Sequence, residues 1–138
     1  MDTVVSAPVR APRVTLRLLK AALVTHLVVV LAQPVSAGLY LVGDVDAIGW
    51  HATIGSTLAA VALLVVAAAL GYVLAGRGPI RVLPAAVLLF LADGFQIGQG
   101  YERALAIHIP LGVGIVVASV LLAAWAWSPS AARARSSR

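Results

Sequence analysis

Four apolar runs, at about 18–41, 48–75, 82–97 and 104–127, leave almost no polar chain between them. Each is near the roughly 20 residues that a helix needs to cross the hydrocarbon of a bilayer. In lipid, a single span satisfies its own backbone groups only as a helix, so these runs predict four helices and exclude a water-soluble domain. Composition agrees: the 138 residues are 62% hydrophobic and 11% charged, whereas a soluble domain is about a quarter charged. The breaks are Gly43-Asp44-Val45-Asp46, Gly76-Arg77-Gly78-Pro79 and Gly98-Gln99-Gly100-Tyr101-Glu102-Arg103, all of turn type. Because they are short, successive helices must be antiparallel neighbours. The expected fold is an all-α, integral membrane four-helix up-down bundle over residues 17–127, with basic tails at 1–16 and 128–138 and no room for a second domain. The absence of cysteine excludes disulfides, iron–sulfur clusters and thiolate nucleophiles.

Charge predicts the orientation. Arg10, Arg13, Arg17 and Lys20 precede the first run, Arg77 and Arg81 lie in the second loop, and Arg133, Arg135 and Arg138 follow the fourth run. With an even number of crossings all nine fall on one side, which the positive-inside rule makes cytoplasmic. The expectation is a multi-pass protein of a bacterial inner membrane with both termini cytoplasmic. Its basic tails suit anionic lipid, at about 1 kcal/mol per nearby cation, and not nucleic acid. Arg103 is the one basic residue on the outer side, with Asp44, Asp46 and Glu102. Trp125 and Trp127 fall at the inner interface and Tyr40, Trp50 and Tyr101 at the outer one, as aromatic belts do. Val35-Ser36-Ala37 before Gly38 resembles a signal-peptidase site, but the apolar run continues to Leu41, so the first helix is expected to be retained.

A faint 2+2 internal repeat runs through the chain. Leu31-Ala32-Gln33 lies over Leu91-Ala92-Asp93 and Gly38 over Gly98 at an offset of 60, and His51-x-x-x-Gly55 lies over His108-x-x-x-Gly112 at an offset of 57. The two halves then run parallel about an axis along the membrane normal. His51 and His108 fall roughly 5–6 Å below the outer ends of the second and fourth helices, at matching depth. In an up-down bundle these helices are diagonal, roughly 11–14 Å apart. At that spacing the histidines do not touch directly, but a planar cofactor fits between them. Axial ligation of one haem by two neutral imidazoles suits this geometry, with Gly55 and Gly112, one turn on from each histidine, leaving room for the macrocycle.

With those residues in place, the chain resembles haem-b-binding four-helix membrane proteins, of the cytochrome b type and of one half of a haem A synthase. It is also similar to small actinobacterial membrane proteins with a fourth-helix opening like Ala104-Leu105-Ala106-Ile107-His108-Ile109-Pro110-Leu111-Gly112. The motif residues are His51, Gly55, Gln96, His108 and Gly112. The resemblance implies one bis-histidine haem b near the outer face, for electron transfer or for sensing or handling haem. It implies no second haem, because the inner histidine pair of two-haem cytochromes b is absent. The glutamate-bearing outer motif of haem A synthase is absent too. One haem near one surface calls for a quinone or a partner protein to complete an electron path, and catalysis is open only as an oxidoreductase component. A second reading stays open: a cofactor-free small transmembrane subunit whose small residues pack against a larger complex, with the histidines as interhelical hydrogen-bonding groups. The oligomeric state is open in both.

The remaining polar residues are few. Arg103 with Tyr101 is a candidate clamp for haem propionates, or else Arg103 pairs with Glu102 or headgroups. Gln96 and Asp93 share a face of the third helix, which is short enough to let Asp93 reach the interface. Gln33-Pro34 bends the first helix at the matching level, and Pro110 helps aim His108. His26 lies deeper, where Thr25 or Ser119 can satisfy it. No phosphate loop, paired carboxylates or serine triad is present.

Overall fold

The computed structural model describes residues 13–135. It contains four long helices, α1 (Arg13–Leu41), α2 (Ala47–Leu74), α3 (Val82–Tyr101) and α4 (Leu105–Ala126), and a helical turn, α5 (Pro129–Ala132). All four long helices are long and apolar enough to cross a membrane. At 1.5 Å per residue the shortest, α3, with 20 residues, spans about 30 Å, the thickness of a hydrocarbon core. Leu63, Leu64, Leu88, Leu91 and Leu121 are among the large side chains turned outward. On a soluble protein such a surface would aggregate; on a membrane protein it is the lipid-facing surface.

Helices α1, α2, α3 and α4 pack in a ring, α1 on α2, α2 on α3, α3 on α4 and α4 on α1, while the backbones of the diagonal pairs α1/α3 and α2/α4 stay apart. This is the expected up-down bundle. One end gathers Arg17, Lys20, Arg77, Arg81, Arg133 and Arg135 and is called the basic end; the other carries His51 and His108 and is called the histidine end. Of the expected basic tails, residues 1–12 and 136–138 lie outside the described residues. Residues 13–16 belong to α1. Residues 129–132 form α5, opened by Pro129, with Ala131 fully buried and its carbonyl accepting from Tyr72 Oη–H at 2.7 Å. That part of the C-terminal segment is held against the bundle.

The two hairpins repeat one another at their turns. After α1, Gly43 adopts φ +107°, its N–H donates to the Tyr40 carbonyl, and Asp44 N–H donates to Leu39. After α3, Arg103 takes the same position with φ +56°, donating to Gly100 while Ala104 N–H donates to Gln99. Both are Schellman closures, with glycine in one and arginine in the other at the left-handed residue. Helix α3 therefore runs on through Gly98-Gln99-Gly100 to Tyr101, four residues past the end expected from hydropathy.

The interior divides along the bundle axis. Leu19, Leu23, Val65, Ala69, Tyr72 and Ala126 form much of a dense core toward the basic end. Above it, Val30, Leu58, Leu89 and Ile115, one from each helix, make a second apolar layer. Among the described residues the buried polar side chains His26, Asp93, Ser119 and Ser36 lie at that layer and the histidine end, while Tyr72 Oη and Thr15 Oγ1 are buried toward the basic end.

Candidate functional site: a histidine pair across the bundle

Each hairpin of the bundle builds the same unit from one glutamine and one histidine. In the first, Gln33 Nε2 donates to the His51 carbonyl at 3.3 Å, and His51 Nδ1 lies 3.2 Å from the Gln33 carbonyl and 3.2 Å from Ser36 Oγ. In the second, Gln96 Nε2 donates to the His108 carbonyl at 2.8 Å, and His108 Nδ1 lies 2.9 Å from the Gln96 carbonyl. A carbonyl can only accept, so both Nδ1 atoms carry the proton and donate. The tautomer follows: each imidazole is held by Nδ1–H, and Nε2 keeps its lone pair. Among the described residues neither Nε2 has a hydrogen-bond partner. An imidazole fixed through one nitrogen with the other free is the arrangement that second-shell carbonyls impose on metal-ligating histidines.

The two rings meet across the α2/α4 diagonal. Their centres are 6.0 Å apart and their planes inclined at 60°. The expectation that the diagonal keeps the histidines out of contact is thus corrected: the helix backbones stay apart, but the side chains reach inward to the distance of an aromatic pair. The same distance suits a metal between the rings. Two metal–nitrogen bonds of about 2.0 Å, with about 1.1 Å from nitrogen to ring centre on either side, give about 6.2 Å. Donor chemistry and separation are therefore compatible with a metal held between His51 and His108. Among the described residues no group of three or more histidine, cysteine or acidic side chains is placed to hold a bare metal ion, so further ligands to a metal would have to come from the cofactor itself.

Gly55 and Gly112 serve a different purpose from the one read in the sequence. A Cβ on Gly55 would stand 3.1 Å from Gln33 Nε2, and one on Gly112 would stand 2.8 Å from Gln96 Nε2. The missing side chains make room for the glutamine amides that hold the histidine backbones. Gly100 does the same for His108, whose Cε1 would be 2.9 Å from an added Cβ. The repeat is also realigned: Gln33 corresponds to Gln96 and not to Asp93, because each glutamine closes the same reciprocal pair with its histidine. Gln33 and Ser36 are site residues that sequence reasoning missed. Their signal was a glutamine ahead of each outer turn, followed by His-x-x-x-Gly.

Arg103 and Tyr101 lie at the rim of this end, both exposed. No carboxylate lies within salt-bridge reach of Arg103 among the described residues, so the expected alternative partner Glu102 does not hold it. Asp93 does not reach the interface. It is 1% exposed, eight residues before the end of α3, and its Oδ2 lies 2.9 Å from His26 Nε2. His26 Nδ1 meets Ser119 Oγ at 3.2 Å, as expected for Ser119, while Thr25 is turned outward. Comparison with protein-family profiles, curated proteins and solved structures gave no match to the chain.

Proposed function

We propose that the chain is a membrane-embedded haem b protein carrying one haem between His51 and His108, used for electron transfer or for sensing or handling haem. The observation that supports the reading is the pair of imidazoles at one depth, each anchored through Nδ1–H with Nε2 unpartnered, their centres 6.0 Å apart. A bound haem would supply a one-electron couple. The protein's part would be to hold both imidazoles neutral and aimed, through the Gln33 and Gln96 carbonyls, and to brace the histidine backbones through the glutamine amides. Arg103 and Tyr101, exposed at the rim of that end, would hold the propionates. With the basic end cytoplasmic by the positive-inside rule, the haem would lie near the outer face of a bacterial plasma membrane. A quinone or a partner protein would complete the electron path.

The test is the absorption spectrum of the full chain, purified after expression with ample haem. The expected result is a Soret band with sharp reduced α and β bands, lost in His51→Ala and in His108→Ala. A colourless protein would overturn the proposal and leave the histidines as a ring pair inside a packing subunit. Loss of the spectrum in His26→Ala with retention in His51→Ala would refute the ligand assignment even with haem bound.

A further inference from the structure

Near the middle of α1, about 10 Å from the level of Gln33 by helical rise, His26 sits fully buried against Asp93 of α3 and Ser119 of α4. The hydrogen bonds of this cluster admit two proton counts. When Ser119 Oγ–H donates to the Ile115 carbonyl at 2.7 Å, Oγ accepts from His26 Nδ1–H at 3.2 Å. His26 Nε2 then faces Asp93 Oδ2 at 2.9 Å, a separation at which two bare lone pairs repel. A proton lies between them, and the pair with that proton is neutral as a unit whichever atom holds it. Without it the unit carries one negative charge in an apolar layer of Val30, Leu58, Leu89 and Ile115. No other ionisable side chain faces the pair from α2 or α4. The Ser119 hydroxyl is placed to serve both states, because its oxygen is within reach of Ile115 O and of His26 Nδ1. It accepts from Nδ1–H when the proton is present and turns to donate to Nδ1 when it is gone.

From the cluster a row of buried polar atoms continues toward the histidine end. Asp93 Oδ1, Gln96 Oε1 and Gln33 Oε1 are buried acceptors without a donor among the described residues. Asp93 and Gln96 lie three residues apart on one face of α3, and His26 and Gln33 seven apart on one face of α1, so the three oxygens mark a column rising to the histidine end. Water entering such a row would donate to each acceptor and relay a proton between them. Toward the basic end the bundle is filled by the apolar core; Tyr72 Oη is bonded to Ala131 there, and Thr15 Oγ1, buried without a partner, stands beyond that core in the first turn of α1.

We infer that His26, Asp93 and Ser119 form a buried proton-binding site that takes up and releases one proton through the glutamine layer at the histidine end. The site needs nothing bound between His51 and His108, so it stands or falls apart from the haem reading. The test is infrared difference spectroscopy on the full chain in lipid vesicles, following exchange into D2O. Wild type is expected to show an exchangeable band of the pair that Asp93→Asn lacks. Gln96→Leu should slow its exchange roughly tenfold, the equivalent of one lost buried hydrogen-bonding step, and Tyr72→Phe should leave the rate unchanged. Should Gln96→Leu fail to fold, Gln33→Leu reads the same column. A wild-type spectrum identical to that of Asp93→Asn would remove the proton. Unaltered exchange in the glutamine variants, or faster exchange in Tyr72→Phe, would remove the route.

Discussion

Gly112→Ala tests what the site glycines are for. A methyl at this position would lie 2.8 Å from Gln96 Nε2, whereas ordinary contact begins at 3.4 Å. The amide must therefore retreat by several tenths of an ångström, and its 2.8 Å bond to the His108 carbonyl gives way. An interhelical hydrogen bond in a membrane is worth about 0.6 kcal/mol and at most about 1.7. Overpacking adds about 1–3 kcal/mol, and the better helix propensity of alanine returns about 1 kcal/mol. The net cost expected is about 1–3 kcal/mol, measured as the shift in helicity when detergent-solubilised protein is titrated with sodium dodecyl sulfate. Gly55→Ala should cost less, because the gap there is 3.1 Å and the Gln33 bond, at 3.3 Å, is already long. The decisive comparison is a double-mutant cycle. In a Gln96→Ala background the methyl has no amide to meet, so Gly112→Ala should become neutral or stabilising, a coupling of about 2 kcal/mol. Equal penalties in both backgrounds would refute the assignment of Gly112 to Gln96 and return the glycine to some other occupant of that space.

Arg103→Gly should raise the stability of the haem-free chain by about 1 kcal/mol, because φ +56° strains a residue with a Cβ; in the same denaturant titration, an unchanged midpoint would count against strain at this turn. If the Arg103 guanidinium holds a propionate, the same variant should lose haem faster to apomyoglobin. Asp93→Ala should cost about 3 kcal/mol or more by leaving a buried histidine without its partner, and combining it with His26→Leu should recover most of the loss; two purely additive penalties would argue against a coupled pair. Tyr72→Phe should cost about 1 kcal/mol through the orphaned Ala131 carbonyl. Gly78→Ala should cost more than Tyr72→Phe, since its Cβ would overlap the rigid Tyr72 ring, and thermal melts ranking the two the other way would refute that packing account.

The bundle was legible because lipid leaves a chain few choices: four apolar runs must be helices, and short breaks must make them antiparallel. Depth was legible for the same reason, since counting residues from a helix end places His51 and His108 at one level. What hydropathy does not carry is rotation about each helix axis, and the misread residues all depend on it. The cost of a lone carboxylate in hydrocarbon points Asp93 to the interface on sequence grounds; the cost is met instead by His26, 67 residues away, with no local pattern linking them. Gly55 and Gly112 were read as space for a flat ligand, yet their partners are glutamines on neighbouring helices, visible only once α1 faces α2 and α3 faces α4. Rotation about the helix axes, which sets both placements, is itself fixed by the polar residues. The α1/α3 diagonal is closed by His26 and Asp93, the α2/α4 diagonal by His51 and His108, and each lies about 10 Å from the other along the axis. A buried hydrogen bond and a ring contact, crossed at different depths, restrain rotation and sliding of the diagonal helices in a way that exchangeable apolar contacts with lipid do not. The few polar residues of this chain thus set its helix register, and that same register holds the two imidazoles 6.0 Å apart.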